Sequence, residues 1–376
     1  LTVREKISQV GEITVLLAAK NLSAESLIGK KLTCTVYDGP GSSASKKREF
    51  EGYIEQIRSG LGDEPDGMQQ YEFVLKPWFW LLSFSKNFRV FQNKNTQSIV
   101  SSVLEDAGFR GEFNFLSIPS LVRPYCLQYG ESDFDFVCRL LAEVGVNFYF
   151  EQKIGSHKMV MQDAESTSSK VSGDDYVYST DPEESKNTIF HWQVDNHFHV
   201  PATALGNYDY EQTKYTETSK TKSSDKLANA ASLVSSNTAE PTVTGKLETL
   251  SDFLVKRRLS SEESIYAQVE GKSWSPDLTA SERFSLKAHF DSAQMGDYLL
   301  VSVDHFFSTR PDGIFKYNNE FQCVSTSRKF FPRVIPKPVP PGFTSGMVEG
   351  KTSGEPAQDD QARVRVRFHW DKSEGD

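Results

Sequence analysis

Apolar and polar residues alternate with a period of two along much of the chain, which predicts a mainly β protein. Leu32, Cys34 and Val36 alternate before a break at Gly39-Pro40-Gly41-Ser42-Ser43. Arg48 to Ile57 resumes the strand, Gly60 to Gly67 reads as a second loop, and Tyr71, Phe73 and Leu75 alternate into Pro77-Trp78-Phe79-Trp80-Leu81-Leu82. Phe190, Trp192 and Val194 repeat the pattern later. Between these β regions the period changes to that of a helix. Thr96 is placed to N-cap a segment with Ile99, Val100, Val103, Leu104 and Ala107 on one face, ended by Gly108. Ser132 starts a second helix, with Asp135 completing a shortened capping box. Val137, Leu140, Leu141 and Val144 form its apolar stripe, Gly145 stops it, and Val146 to Phe150 returns to strand.

The Trp78–Leu82 block reads most simply as a core plug, with a sugar- or base-stacking platform as the sharper alternative. Burial of Trp78, Trp80, Val137 and Leu141 is expected. Asp163 to Asp175 and Thr213 to Thr244 are polar, low in apolar residues and expected to be mobile. Lys329 to Gly342 is a proline-rich segment expected to act as a semi-rigid spacer. After it, Val364, Val366, Phe368 and Trp370 share one face of a strand and Arg363, Arg365 and Arg367 the other. One strand cannot bury such a face, so its sheet is expected beyond Asp376, in a longer protein. An internal echo links Ile28–Asp38 with Met295–His305, where Gly, Leu and Val recur at matching places. It suggests two similar antiparallel β-barrels. The expected division is 1–90 (first barrel), 91–188 (α/β insert), 189–331 (second barrel with a polar loop near 213–244), 332–361 (linker) and 362–376 (start of an OB-like barrel).

A length of 376 residues suits two or three domains, and 12% aromatic content is ample for their cores. The net charge of −9 argues against nucleic acid as the main partner. No apolar run approaches the ~20 residues of a membrane-spanning helix, and no signal segment follows Leu1. Cys34, Cys126, Cys138 and Cys323 sit in apolar runs without CxxC spacing and read as reduced core residues of a cytosolic protein, with a Cys126–Cys138 pair as the alternative.

Catalytic patterns are incomplete wherever the chain begins one. Gly350-Lys351-Thr352 and Gly271-Lys272-Ser273 resemble the end of a phosphate-binding loop, but Ser345 and Tyr266 stand where its first glycine is required. Gly130-Glu131-Ser132 is better explained as a helix start than as a nucleophile elbow. His191, His197 and His199 cluster, and a metal there needs a further, distant ligand. The carboxylate pairs Asp133/Asp135, Glu183/Glu184 and Glu262/Glu263 read as helix-end charge and solvated faces. The arginine stripe at 363–367 reads as a barrel exterior or a partner for acidic residues of a neighbouring chain, because base-stacking aromatics would have to share its face. No catalytic, cofactor-binding or metal residue is therefore assigned, and no cofactor is expected.

Four blocks resemble the VgrG spike proteins of type VI secretion systems, relatives of the hub and spike of contractile phage tails. Tyr71 to Leu82 resembles Y-x-L-x-L-x-P-W-L-W-L-L. Phe88 to Asn93 resembles C-R-I-F-Q-N, with Phe88 in place of Cys. Tyr125 to Leu141 resembles Y-C-V-Q-Y-x-E-S-D-x-D-F-V-x-R-L-L, and Arg363 to Asp371 resembles R-V-K-V-Q-F-H-W-D. The stretch 213–244 matches weakly. The resemblance implies a non-enzymatic structural subunit, a homotrimer whose six barrels form a ring adapting a hexameric, Hcp-like tube protein to a three-fold needle. It further implies baseplate and effector or tip proteins as partners, with no nucleic acid. Contact with the target membrane would be transient, following synthesis in the bacterial cytoplasm and export through the apparatus. A hub enzyme acting on cell wall and an OB-type nucleic-acid-binding module are the competing readings.

Overall fold

The computed structural model describes residues 1–38, 45–64, 67–153, 155–171, 175–181, 187–209, 214–223, 236–239, 248–309, 315–339, 342–352, 355–359 and 362–371. The first segments give β1 (Thr2–Lys6), β2 (Glu12–Ala19), a one-turn helix α1 (Ala24–Leu27), β3 (Lys31–Asp38), β4 (Ser45–Glu64) and β5 (Met68–Lys76). They pair antiparallel in the spatial order β1-β2-β5-β4-β3. Alternation turns Val3, Ile13, Val36, Phe50, Ile54, Phe73 and Leu75 onto one face, where they form a closed-packed core with Phe307. Leu1 before β1 and Cys34 of β3, the last strand in that order, both pack against this same core.

The next stretch is the helix-containing insert. A 3-10 segment (Trp78–Phe84) leads into β6 (Lys86–Asn95), α2 (Thr96–Asp106), β7 (Phe113–Ser117), β8 (Val122–Ser132), α3 (Asp133–Glu143), β9 (Val146–Lys153) and β10 (Ser156–Asp163). β6 and β8 form an antiparallel pair, and β7-β10-β9 a small mixed sheet. Trp78, Phe79, Ile99, Val103, Phe136, Val137, Leu140 and Leu141 are buried together, so the aromatic block is a core plug. Trp80 is only half-buried and meets the exposed Phe84 edge-on. Ser132 caps α3 as expected, its Oγ accepting from Asp135 N at 3.0 Å. The cap of α2 is Asn95 rather than Thr96: Asn95 Oδ1 accepts from Ser98 N at 2.8 Å, while Thr96 is buried as the first helical residue. The side chain one position earlier reaches the free N–H groups, and Thr96 accepts from Arg123 instead.

The later segments are β11 (Tyr176–Tyr178), β12 (Thr188–Asn196), β13 (Ala202–Asp209), β14 (Lys214–Lys222), β15 (Ser236–Ala239), α4 (Glu248–Glu263), β16 (Ala267–Ser273), β17 (Arg283–Ala288), β18 (Gly296–Thr309) and β19 (Phe315–Ser325). Six of them close a barrel in the order β17-β11-β12-β16-β19-β18, with β18 returning to β17. At Gly271 on β16 an added Cβ would lie 2.2 Å from the ring of Phe321, so the absence of a side chain lets that ring fill the barrel. β1 pairs with β18 as well as β2, which joins both halves into one eleven-stranded sheet. Within 213–244, residues Lys214–Lys222 pair with β13 and Ser236–Ala239 lie parallel to it, while the rest lies outside the described residues. Most of the expected Asp163–Asp175 loop is irregular, though Val171 is buried in the second core.

The internal echo has a local structural counterpart. Gly29 follows α1 and precedes the β3–β4 hairpin; Gly296 follows a 3-10 turn (Ser292–Gln294) and opens the β18–β19 hairpin. Two residues beyond each glycine, Lys31 and Tyr298 pair with Tyr53 and Ser325 near the far ends of those hairpins.

The end of the chain carries contacts that composition did not announce. The proline-rich segment begins as a docked strap: Phe331 and Pro332 are buried, Phe331 N donates to Ser264 Oγ at 2.8 Å, and Pro332 O accepts from Ser261 Oγ at 2.8 Å. Phe331 is apolar enough to outweigh the extended, solvated habit of its neighbours. The terminal strand finds its partner within the chain. β20 (Gly346–Val348) pairs antiparallel with β23 (Val366–Phe368), after β21 (Gly350–Thr352) and β22 (Glu355–Pro356) have formed their own short ladder. Its apolar face is partly covered, Trp370 lying against Phe88 and Tyr129, while Val364 and Val366 stay exposed.

Candidate functional site

Where the two halves meet, charged residues occupy interior strand positions. On β18, Val301, Val303, His305 and Phe307 share the buried face, which places an imidazole between the cores. Glu5 of β1 and Arg48 of β4 converge on it. Arg48 donates to Glu5 Oε1 at 2.8 Å, to Pro276 O at 3.0 Å and to Leu278 O at 3.3 Å. His305 Nε2 lies 3.2 Å from Arg48 Nη1 and accepts from it; Nδ1–H then donates to Tyr317 Oη at 2.7 Å. Tyr317 passes the chain to Ser275 O at 3.1 Å, and Asn319 Nδ2 bonds both groups. Ala280 N donates to Glu5 Oε2 at 3.2 Å. Burial pushes the Glu5 carboxyl up, but the Arg48 guanidinium foremost, helped by the Ala280 N–H, outweighs it and holds the group down at about 2. Burial and Arg48 together lower His305, which keeps the ring neutral at pH 7.

A second imidazole fastens the insert to the first half. His157 of β10 is buried; its Nε2 accepts from Trp78 N at 2.9 Å and its Nδ1–H faces Glu51 Oε1 of β4 at 3.1 Å. Lys31 completes the group 3.3 Å from Glu51. Burial, the largest influence, lowers the His157 pKa.

Inside the insert, Asp133 stands in the first turn of α3, the helix-end charge expected of it. It is buried at the start of α3 and accepts from Arg89 at 2.6 Å, Gln128 at 2.8 Å and Asn87 at 3.0 Å. Arg139 pairs with Glu131 at 2.5 Å, and Arg123 with Glu143 at 2.8 Å. Lys337 of the strap reaches Glu143 at 3.5 Å, so the same cluster holds the segment leaving the second half.

These clusters share one chemical character. Their polar atoms are mostly engaged with fixed partners on different strands, an arrangement that holds pieces in register. The thiols offer no activated nucleophile: burial pushes Cys34 up to about 11 and Cys138 and Cys323 higher still. All four cysteines are free, so Cys126 and Cys138 share a core without a disulfide.

The sequence candidates do not converge. His191 is half-buried on β12, His197 is exposed beyond its end, and His199 is buried against Tyr266 with Nδ1 bonded to Val200 O. Among the described residues no three His, Cys, Asp or Glu side chains gather as a metal site. Gly271-Lys272-Ser273 lies on β16, and Gly350-Lys351-Thr352 forms β21. Glu262 and Glu263 end α4, and Glu183 and Glu184 lie outside the described residues. Asp135 serves the α3 cap. Of the arginine stripe, Arg363 pairs with Asp359 at 2.5 Å and Arg365 with Glu349 at 3.0 Å. Glu5, Arg48 and His305 were not singled out from the sequence. The signal was there, since each falls in phase with apolar neighbours: Glu5 with Val3 and Ile7, Arg48 with Phe50, His305 with Val303 and Phe307.

Comparison with known proteins fits this picture. The family described as phage tail baseplate hub (GPD) matches residues 4–311. The type VI secretion system spike protein VgrG1c of Pseudomonas aeruginosa is 25% identical, the match covering 98% of this chain and 51% of that protein. The actin cross-linking toxin VgrG1 of Vibrio cholerae is 25% identical over 96% of this chain and 33% of its own length. The chain thus spans about half or less of these relatives. Among solved structures, an Escherichia coli component of the type VI secretion system, described as similar to the T4 tail proteins gp27 and gp5, superposes with a TM-score of 0.67 at 20% identity. That match covers 98% of this chain and 84% of the other. The Francisella PdpA–VgrG complex gives 0.58 at 10% identity, over 96% and 53%. At such identities these likenesses speak for the fold.

Proposed function

The chain belongs to the phage tail baseplate hub family, and on that premise we propose that it is a structural, non-catalytic hub of a type VI secretion spike. One observation carries the reading: a single eleven-stranded sheet runs through both halves, and a buried Glu5–Arg48–His305 cluster fastens them where they meet. A part that transmits force between a tube and a needle needs that continuity more than a reactive pocket. In this reading three chains assemble, each giving two barrel-like lobes to a ring that receives a hexameric tube protein. The insert (91–188) faces outward, and residues 362–376 begin the domain beneath, after the linker at 332–361. The lobes correspond to residues 1–90 and 189–331. Baseplate, effector and tip proteins are the partners, and the protein is made in the cytoplasm and exported by the apparatus. No helix among the described residues is long and apolar enough to cross a membrane.

Deletion of this hub from a bacterium that depends on it should abolish release of the tube protein into the medium. Complementation by the intact gene should restore it. Undiminished release from the deletion strain would overturn the proposal.

A further inference from the structure

His157 ties three elements together through one ring. It projects from β10 and is buried. Nε2 accepts at 2.9 Å from the main-chain N–H of Trp78, where the chain leaves β5 and enters the insert. Nδ1 lies 3.1 Å from Glu51 Oε1 on β4, in the first half. A main-chain N–H only donates and a carboxylate only accepts, so these neighbours admit one form of the ring, neutral with its proton on Nδ1. A second proton must go to Nε2. There it would face the Trp78 N–H, donor against donor, and the bond that closes the seam is lost.

Other ties along this seam are indifferent to acid. Glu51 N donates to Gln152 Oε1 at 3.0 Å, Ser8 N to Phe148 O at 2.7 Å and Ser8 Oγ to Asn147 Oδ1 at 2.8 Å. The charged groups acting on the ring are Glu51 and Lys31 from the first half and Glu112, just before β7; Tyr53 and Phe150 set their rings against it at 6.3 and 6.1 Å. Glu51 favours an imidazolium, but Lys31 already sits 3.3 Å from the same oxygen, and the closed seam keeps water from the ring. Once the seam opens, water solvates the charge. We propose that His157 is an acid-sensitive latch: neutral, it holds the insert on the first half, and protonated on both nitrogens it lets β9 and β10 part from β4 before the second barrel loosens.

The test is hydrogen exchange by mass spectrometry on the intact chain, compared between pH 7.5 and pH 5.5 after correction for the intrinsic exchange rate. Burial holds the closed ring below its ordinary value, so protection is full above about pH 6.5 and falls below it. Segments on the seam (50–54, 78–84 and 147–160) should lose protection by up to about tenfold for each pH unit below that point. Segments 267–273 and 283–288 of the second barrel should keep theirs. His157→Gln offers Trp78 an acceptor and Glu51 a donor without a titrating proton, so its seam should be equally protected at both pH values. The proposal is overturned if the parent's seam does not respond to pH, if the second barrel loses protection along with it, or if His157→Gln responds as the parent does. Should the variant fail to fold, the parent decides alone: loss confined to the seam supports the latch, and any other pattern overturns it.

Discussion

Replacing Arg48 with methionine tests whether the buried cluster holds the two halves together. The substitution keeps most of the aliphatic stem and removes the guanidinium that bonds Glu5, Pro276 O and Leu278 O and stacks 4.7 Å from the Phe50 ring. Glu5 then stays buried without its main counter-charge. In the native protein its carboxyl sits at about 2 rather than 4.5, and a shift of that size corresponds to about 3 kcal/mol of favourable interaction with the charged form. Two carbonyls lose a donor as well, so a total cost of roughly 3–5 kcal/mol is expected, as for breaking other buried pairs. Denaturant unfolding at pH 7 measures it. The pH dependence adds a second check with a fixed sign. Because the folded-state value of Glu5 is depressed, its stabilisation is complete above the unfolded value near 4.5 and is lost as pH falls toward about 2. In Arg48→Met this acid-side loss should shrink. A cost below about 1 kcal/mol, the range of an exposed pair, would refute the reasoning.

Three further outcomes follow from the same structure. Gly271→Ala should drive a methyl into the Phe321 ring and lower stability by about 1–3 kcal/mol, read as a fall in Tm; an unchanged Tm would mean the ring is not held there. Both His157 and His305 are depressed by burial, so the unfolded chain takes up protons below about pH 6.5 that the folded chain refuses. Stability should therefore be full above that pH and fall below it, by up to about 1.4 kcal/mol per pH unit for each ring; a flat profile from pH 8 to pH 5 in urea melts would contradict this. Asn95→Ala should cost about 1 kcal/mol through loss of the α2 cap, whereas Thr96→Ser, which keeps the hydroxyl, should cost less; calorimetric melts of the two variants decide between them.

Local patterns were readable wherever one interaction dominates. The alternation at Tyr71, Phe73 and Leu75, the Ser132 cap and the stripe from Val137 to Val144 depend on neighbours a few residues apart. Closure of six strands into a barrel does not: β11 and β17 are joined across more than a hundred residues, and nothing local announces the pairing. The α2 cap shifted by one residue because Asn95 and Thr96 are both competent, and only the geometry of Arg123 assigns Thr96 another role. The docked start of the strap was not legible, because its composition is that of a free spacer while Phe331 and Pro332 find covered positions beside α4. The charged cluster between the halves was the largest omission. Glu5, Arg48 and His305 sit in phase with core residues, and a titratable group in such a position is a sign of a buried partner elsewhere in the chain.

If this chain is an assembling hub, its mass in solution will show it. Light scattering on a sizing column at several concentrations should give about 127 kDa, three times 42.3 kDa. A species that remains at 42.3 kDa at every concentration, or a stable dimer, would contradict it.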